Sequence, residues 1–577
     1  MIRFVGMLCW LAMFMLCNLG YWELFRRKTG VHEAYYPSLT VAVQVTVLFA
    51  AGCLNFLREA SWALWALGFA VLLYRACKDR SLGFLGFYRK PVFLFVLLFT
   101  GAFFAYCYGC MLTEYDNFTH WGLVLKQMVT EKHFPDYRDP VIMFKTYPLG
   151  TAIYMFFGLS IPKMGMQEDI AMFLQAYMML CFTAALFSRA EKHPALTTAF
   201  MSLAMIFFVS TSLGMRDLRV DVVLALAAGC ALLYVWDYCI RPVNWVDFYL
   251  GSAYLVALSQ IKNSAMLMGA ICSVAVLLEG RRDRRYRSRA LLAASPIAAW
   301  FLWKKRYSNV YSGADISLHA MTLRNYLGTF RNNPVSKIGM ICLDLLRYAL
   351  TFRKAVLCGL CFLLVAVLVL RVWKGNGKRF RWAAGFSFAF YGCYELFLLG
   401  MYIFSMGAEE AVGLPSVARY TNTALFIMNY MLCSVCLRLI SQAQMKDKRQ
   451  LLCVAALLVM YPVRMIACGE TPFFVQLDAR QEPQRVEMNR LIAEYNVPKG
   501  SSCCLLVPES DNGRTWFCLR YALMSGEVRA LHATDAQSLE EIPEPYVFVY
   551  DEENPEVESW LKTAAQTNPD ATILIPR

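Results

Sequence analysis

Residues 91–121 read PVFLFVLLFTGAFFAYCYGCML and then TEYDNFTHW. The first part carries no charge over a length sufficient to cross a hydrocarbon core of about 30 Å. The second opens abruptly on Glu114, Asp116 and His120, so an apolar span delivers acids to a membrane surface. After a helical run and a polar loop comes Lys145-Thr-Tyr147-Pro148-Leu149-Gly150, which leads into another apolar segment. Asp116 and His120 are four apart, which puts them on one face if the segment is helical. Tyr115 and Trp121 flank them at interfacial depth. An ordinary interfacial loop with an aromatic belt would carry the same rings.

Working outward, apolar runs of spanning length recur along the chain, which is 577 residues long, 58% hydrophobic and only 17% charged. These values describe a mainly α, polytopic membrane protein. The spans expected are 4–22, 38–57, 61–77, 91–112, 168–187, 196–213, 221–238, 245–262, 264–279, 290–304, 355–373, 383–404, 421–440 and 451–467, about fourteen crossings. The first has no small-residue cleavage site behind its apolar core, so it reads as a retained span rather than a signal peptide. The formal net charge of +14 does not point to nucleic acid, because Lys and Arg fall in short clusters between spans. That is the pattern of cytoplasmic loops. The 21 cysteines lie mostly within spans as small apolar residues and show no metal-ligand spacing.

The basic clusters set the sidedness. With Arg75, Lys78, Arg80, Arg89 and Lys90 in the cytoplasm, the 91–112 span runs outward and places Asp116 on the outer face. The segment 147–161 is too short for a crossing and would reverse every later basic cluster, so it is expected to lie at, or dip into, the outer leaflet. Both termini then lie outside. Polar groups read independently fall on the same face: Arg216-Asp217-Leu-Arg219-Val-Asp221, Gln260-Ile-Lys262-Asn, Glu409-Glu410 and Arg419-Tyr420. Ionisable residues at the ends of spans commonly face a wet cavity or a partner, although snorkelling charges would look the same from sequence.

Two outer loops add to this face. Residues 305–354 carry helical periodicity (Leu318, Met321, Leu323, Tyr326, Leu327, Phe330, then 338–350), which suits helices lying along the interface. The loop 405–416, with Gly413 and Pro415, reads as a lid or a plain connector. The chain divides into 1–112 (N-terminal spans), 113–167 (first large outer loop), 168–467 (remaining transmembrane core) and 468–577, a small extracytoplasmic α/β domain. Strands are expected at Cys503–Val507, Tyr546–Tyr550 and Thr572–Ile575, and helices at Glu487–Tyr495 and Val557–Ala565. That domain holds no Gly-rich phosphate loop, metal cluster or nucleophile elbow.

An acid at the outer face, ringed by cations and lipid-accessible helices, suits transfer of a sugar from a polyprenyl-phosphate carrier. The acceptor hydroxyl needs a general base, which Asp116 can supply. The departing lipid phosphate gains charge that Lys145, Arg216, Arg219, Lys262 or Arg419 can stabilise.

These motifs resemble those of the GT-C superfamily of integral-membrane glycosyltransferases, in particular the branch of the lipid A aminoarabinose transferases, the protein O-mannosyltransferases and related bacterial envelope enzymes. The resemblance lies in Tyr115-Asp116 with His120-Trp121, in Lys145-Thr-Tyr147-Pro148-Leu149-Gly150, in Arg219-Val-Asp221 at the start of a span, and in the outer C-terminal domain. It implies Asp116 as catalytic base, Lys145 on the donor phosphate, and Asp221, or else Asp217, as a second acid supporting the acceptor. It also implies an inverting hexosyl or pentosyl transferase. The expected partners are a polyprenyl-phosphate sugar donor, an envelope glycan, lipid or protein acceptor, and membrane lipids. No Asp-x-Asp follows the first acid, so no cofactor or divalent metal is expected. Two other readings stand beside this one. One is an envelope glycan polymerase, ligase or lipid-linked glycan flippase; the other is a non-enzymatic scaffold or transporter.

Overall fold

The computed structural model describes residues 2–79, 83–139, 141–161, 164–190, 192–211, 215–240, 242, 244–280, 286–311, 323–332, 334–406, 408–470, 482–507, 513–532, 542–549, 555–564 and 572–575. Four helices open the chain: α1 (Ile2–Lys28), α2 (Tyr36–Cys53), α3 (Leu57–Lys78) and α4 (Pro91–Cys107). Pro37 and Pro91 sit in the first turns of α2 and α4, where a missing N–H costs no helical bond. Between α4 and the next long helix lie α5 (Gly122–Glu131) and α6 (Gly150–Leu159). Then follow α7 (Glu168–Ala184), α8 (Pro194–Thr211), α9 (Asp221–Tyr234), α10 (Trp245–Ser259), α11 (Ala265–Gly280) and α12 (Tyr286–Val310). Two amphipathic helices, α13 (Leu323–Asn332) and α14 (Val335–Thr351), precede α15 (Arg353–Arg371), α16 (Gly377–Ser405), the short α17 (Ala408–Val412), α18 (Val417–Gln442) and α19 (Lys448–Cys468).

Every expected span coincides with one of these helices. Among the described residues, 9 helices are long and apolar enough to cross a membrane, or up to 10 if the stretch Gly83–Arg89, which meets α4 at 80°, is joined to it. The rest of the expected crossings fall on shorter or less apolar helices such as α8 and α11.

The helices alternate in direction between two ends, and side-chain bonds at each end fix the pattern. At one end the start of α1 meets the start of α7 (Arg3–Asp169, 3.0 Å). There too the end of α12 reaches the exit of α2 (Arg306 to Asn55, 3.2 Å), and the start of α15 meets the exit of α19 (Lys354–Glu470, 2.6 Å). At the other end α1 and α3 finish on the buried Glu23, which accepts from Tyr88 at 2.7 Å and lies 3.0 and 3.5 Å from Arg26 and Arg75. Arg189 and Asp237 pair there at 2.9 Å, and His193 meets the Ala443 carbonyl at 2.8 Å.

The segment from α4 to α7 leaves and returns at the same end. Asp169 accepts the Gly109 N–H at 3.0 Å and Glu168 accepts the Leu112 N–H at 2.7 Å, so the exit of α4 lies beside the entrance of α7. Residues 147–161 therefore make no net crossing. All 10 residues of α6 are buried. A helix inside a bundle must satisfy its last carbonyls without water. Indole N–H groups do so here: Trp65 donates to Phe157, Trp10 to Gly158 and Trp62 to Ser160, each at 3.0 Å.

Of the periodic segment 305–354, residues 312–322 lie outside the described residues, including Leu318 and Met321. α13 packs Phe330 on Phe404 of α16 with ring centroids 5.3 Å apart. α14 buries Ile341 and Leu345 and leaves Met340, Leu343, Leu346 and Leu350 exposed, the division expected of a helix with one face toward lipid. The loop before α18 is shaped by Leu414 and Ser416, both at positive φ, and its Pro415 carbonyl accepts from Tyr402 at 2.8 Å.

The C-terminal domain contains α20 (Pro483–Glu494), β1 (Cys503–Val507), α21 (Arg514–Leu523), β2 (Val528–His532), β3 (Tyr546–Val549), α22 (Pro555–Ala564) and β4 (Thr572–Leu574). Its four strands are parallel in the order β2-β1-β3-β4, with Cys503 opposite Val528 on one side and Tyr546 on the other. α21 and β2 were not expected from the sequence. Strand alternation sends Cys503 and Leu505 toward the bundle side, while Cys504, Leu506, Val547 and Val549 pack with Trp560 on the far side. The adjacent cysteines thus face apart, and both are free thiols.

Candidate functional site

Gly109, at φ +72, turns the chain out of α4, a conformation in which a side chain would be strained. Residues Asn117–Trp121 then wind as a π-helical turn, with Asp116 just before it. Such turns widen the helix by a residue and recur at functional sites. The spacing of Asp116 and His120 suggested a shared face, and the two side chains have different partners. His120 is 3% exposed and rests edge-on against Trp121, Phe144 and Tyr147, at 4.6, 5.8 and 4.9 Å between centroids. Among the described residues neither ring nitrogen has a hydrogen-bond partner. Burial lowers its imidazole to about 3.

Asp116 joins a chain of alternating charges. Nη1 of Arg419 bonds its carboxylate. The same guanidinium places Nε 3.5 Å from Asp221, and Asp221 accepts from Lys262 Nζ at 2.7 Å. Four separate pieces of chain meet here: the loop before the π-turn, the first residue of α9, the turn after α10, and the first turn of α18. Two of them are helix N-termini, whose unpaired N–H groups favour anions. Tyr420 supports both cations. Its ring lies 4.7 Å from Lys262 Nζ and 5.1 Å from the Arg419 guanidinium, and its hydroxyl accepts from Arg419 Nη2 at 3.3 Å. The Asp116 side chain keeps 31% of its surface exposed, so its carboxylate is reachable, whereas that of Asp221 keeps 12%.

A second charged group adjoins the first. Arg219 lies 3.1 Å from Glu114 and also bonds the buried Asp217, which accepts the Arg219 N–H at 2.9 Å. Burial pushes the Asp217 carboxyl up to about 6 against the pull of Arg219. The 217–219 backbone is held by Gln175, whose amide donates to the Asp217 and Arg219 carbonyls at 2.8 and 3.0 Å, and by Asn117, which accepts the Leu218 N–H at 3.0 Å. Arg216 lies over the Tyr106 ring at 4.4 Å.

The Lys145–Gly150 stretch borders the site from one side. Tyr147 stacks on Phe144 at 5.1 Å and touches Trp121 at 6.0 Å. Burial raises its hydroxyl to about 12, with Tyr420, Arg419, Asp116 and Asp221 all close enough to bear on it. Gly150 donates to the Gln260 carbonyl at 2.6 Å, which anchors the stretch beside Lys262. Lys145 itself lies over Tyr311 at 5.2 Å, and no described bond joins it to the acids. Tyr115 is turned outward onto Phe517 of the C-terminal domain at 5.1 Å.

Asp116, Asp221, Lys262 and Arg419 are thus in one cluster, with Asp217 and Arg219 beside it and Tyr147 and Trp121 on its rim. His120 packs against the rim rings Trp121 and Tyr147, Lys145 lies over Tyr311, Tyr115 meets Phe517 and Arg216 lies over Tyr106. Glu114 and Tyr420, read from the sequence only as neighbours of Asp116 and Arg419, join the site, and so does Gln175, which was not read at all. For Gln175 the available signal was a lone amide in an apolar span. Among the described residues no group of three or more His, Cys, Asp or Glu could hold a metal ion.

No protein-family model matches the chain, and no curated protein matches it. In structure it is similar to ArnT from Cupriavidus metallidurans in the apo state, with 14% identity, 84% of this chain and 89% of that chain covered, and a TM-score of 0.47.

Proposed function

We propose that the chain is a membrane glycosyltransferase that moves a sugar from a polyprenyl-phosphate donor to an envelope acceptor on the outer face of the membrane. The observation that carries this reading is the bridge from Asp116 through Arg419 and Asp221 to Lys262: a reachable carboxylate bonded to one cation, which a second acid joins to another, at one end of a helix bundle. The opposite end carries Arg26, Arg27, Lys28, Arg75, Lys78, Lys378, Arg379, Arg381, Lys446, Lys448 and Arg449, which by the positive-inside rule is cytoplasmic. The site and the C-terminal domain then face outward.

In this reading the acceptor hydroxyl oxygen attacks the anomeric carbon while Asp116 takes its proton. The bond from that carbon to the phosphate oxygen breaks, the electron pair leaves with the polyprenyl phosphate, and the configuration inverts. Arg419 and Lys262 are the cations placed to meet the phosphate charge, joined by Arg219. A phosphate that draws Arg419 toward itself frees the Asp116 oxygen that Arg419 bonds. Asp221 keeps Lys262 and Arg419 in register between the two events. Lys145 is the further candidate for the donor phosphate, reached by turning away from Tyr311.

The test is mass spectrometry of envelope glycans and glycolipids from cells carrying the wild-type chain, a deletion, and Asp116→Asn at matched membrane abundance. The expected result is that the substitution reproduces the sugar missing from the deletion. A wild-type glycan profile in Asp116→Asn, beside a loss in the deletion, would remove Asp116 as the base and favour a polymerase, ligase or flippase working through other groups.

A further inference from the structure

The C-terminal domain does more than sit above the bundle: it grips the backbone that carries Asp116. Arg485 of α20, 4% exposed, forms a two-pronged pair with Glu168 of α7, Nη2 to Oε1 at 2.7 Å and Nη1 to Oε2 at 3.0 Å. The same two side chains hold both polar groups of one residue of the loop: Glu168 accepts the Leu112 N–H at 2.7 Å, and Arg485 donates to the Leu112 carbonyl. Tyr521 donates to Glu168 at 2.9 Å and packs on Phe118 at 5.4 Å, and Arg485 lies 4.7 Å over the Phe118 ring. Arg514 donates to the Thr113 carbonyl at 3.2 Å. Lys126 of α5 reaches up to the Tyr521 and Ala522 carbonyls at 2.6 and 3.1 Å, at the C-terminus of α21, where a cation suits the helix dipole.

Contacts along this loop divide between two partners. Leu112, Thr113, Tyr115 and Phe118 meet the domain, while Glu114, Asp116 and Asn117 meet Arg219, Arg419 and the Leu218 N–H. A segment held on both sides presents the Asp116 carboxylate in a fixed place. Pre-organisation of that kind matters because a misplacement of about 1 Å can cost about 10²-fold in rate.

We infer that Arg485 and Glu168 are positioning residues that lock the Asp116 loop from the C-terminal domain, a role that rests on Asp116 being the base. The experiment uses the full chain with Arg485→Ala, Arg485→Lys and Asp116→Asn. Three readouts are taken: accumulation in membranes of the product named by the glycan comparison, hydrogen exchange of peptides covering 112–121, and binding of polyprenyl phosphate to the purified protein. The expected result is a product rate about 10²-fold lower in Arg485→Ala, faster exchange confined to 112–121, lipid-phosphate binding within about twofold of wild type, and partial recovery in Arg485→Lys. A wild-type product rate in Arg485→Ala overturns the inference whenever Asp116→Asn is inactive; an active Asp116→Asn instead overturns the reading of the base. Should Arg485→Ala aggregate, Arg514→Ala with Phe517→Ala loosens the same loop from its rim. A fall in rate with local exchange then supports the lock, and unchanged rate overturns it.

Discussion

Arg419 stands between two acids that lie far apart in the chain, bonding Asp116 with Nη1 and approaching Asp221 with Nε at 3.5 Å. A planar guanidinium gives each acid its own N–H at a fixed spacing; an ammonium is a compact point charge on a flexible stem. Arg419→Lys is expected to keep one contact and lose the other, lowering product formation by about tenfold or more. Arg419→Met should lower it by about 10²- to 10³-fold, the usual loss when a donor to a developing anion is removed. Quantifying the transferred sugar in membranes at matched protein abundance decides it, and equal rates in Arg419→Lys and wild type would rule out the bridge as a working part.

His120 gives a pH signature that separates packing from chemistry. Its folded imidazole titrates at about 3, lowered by burial from an ordinary 6.5. Between those values the unfolded chain binds a proton that the folded chain refuses, so stability falls as pH drops from about 6.5 toward 3. His120→Phe should keep transfer activity and flatten part of this acid-side loss of thermal midpoint in detergent. An inactive His120→Phe of wild-type stability would make the imidazole a participant instead.

Gly150 is fixed by space rather than by dihedral angle. A Cβ there would stand 2.6 Å from the Gln260 carbonyl oxygen and 2.7 Å from its carbon, both backbone atoms. Gly150→Ala should therefore push the Lys145–Gly150 stretch away from Lys262, at a cost of about 1–3 kcal/mol. A thermal midpoint equal to that of wild type would show that the stretch shifts freely.

Trp10→Phe keeps a ring in the bundle and removes one N–H. The Gly158 carbonyl then loses its described donor inside an apolar interior, which should cost about 1–3 kcal/mol. Denaturant midpoints of the two proteins in the same micelle give the comparison; a loss below about 0.5 kcal/mol would mean that water reaches the carbonyl.

The spans were legible because a bilayer imposes one length on every crossing, and α7, α9 and α18 meet it plainly. The meeting of Asp116, Asp221, Lys262 and Arg419 at one end of the bundle followed from counting crossings, since residues at like ends of alternating helices share a surface. What stayed hidden depends on tertiary contact. That His120 packs among rings while Asp116 joins Arg419 has no signature in composition. Arg485 and Glu168 meet across 317 residues of sequence, with no local pattern to announce them. The strand β2 reads VRALH, whose Arg and His break any apolar run, and it becomes a strand by pairing with β1.

The tryptophans around α6 also bear on how the chain is made. Trp10 lies in α1 and Trp62 and Trp65 in α3, all upstream of the carbonyls they satisfy at Phe157, Gly158 and Ser160. A ten-residue helix, about 15 Å long, is too short to be inserted as a span on its own account. During synthesis, which proceeds from the N-terminus, the donors are already in the membrane when those acceptors leave the ribosome. Moving α1 or α3 downstream of α6 by circular permutation would reverse that order of arrival.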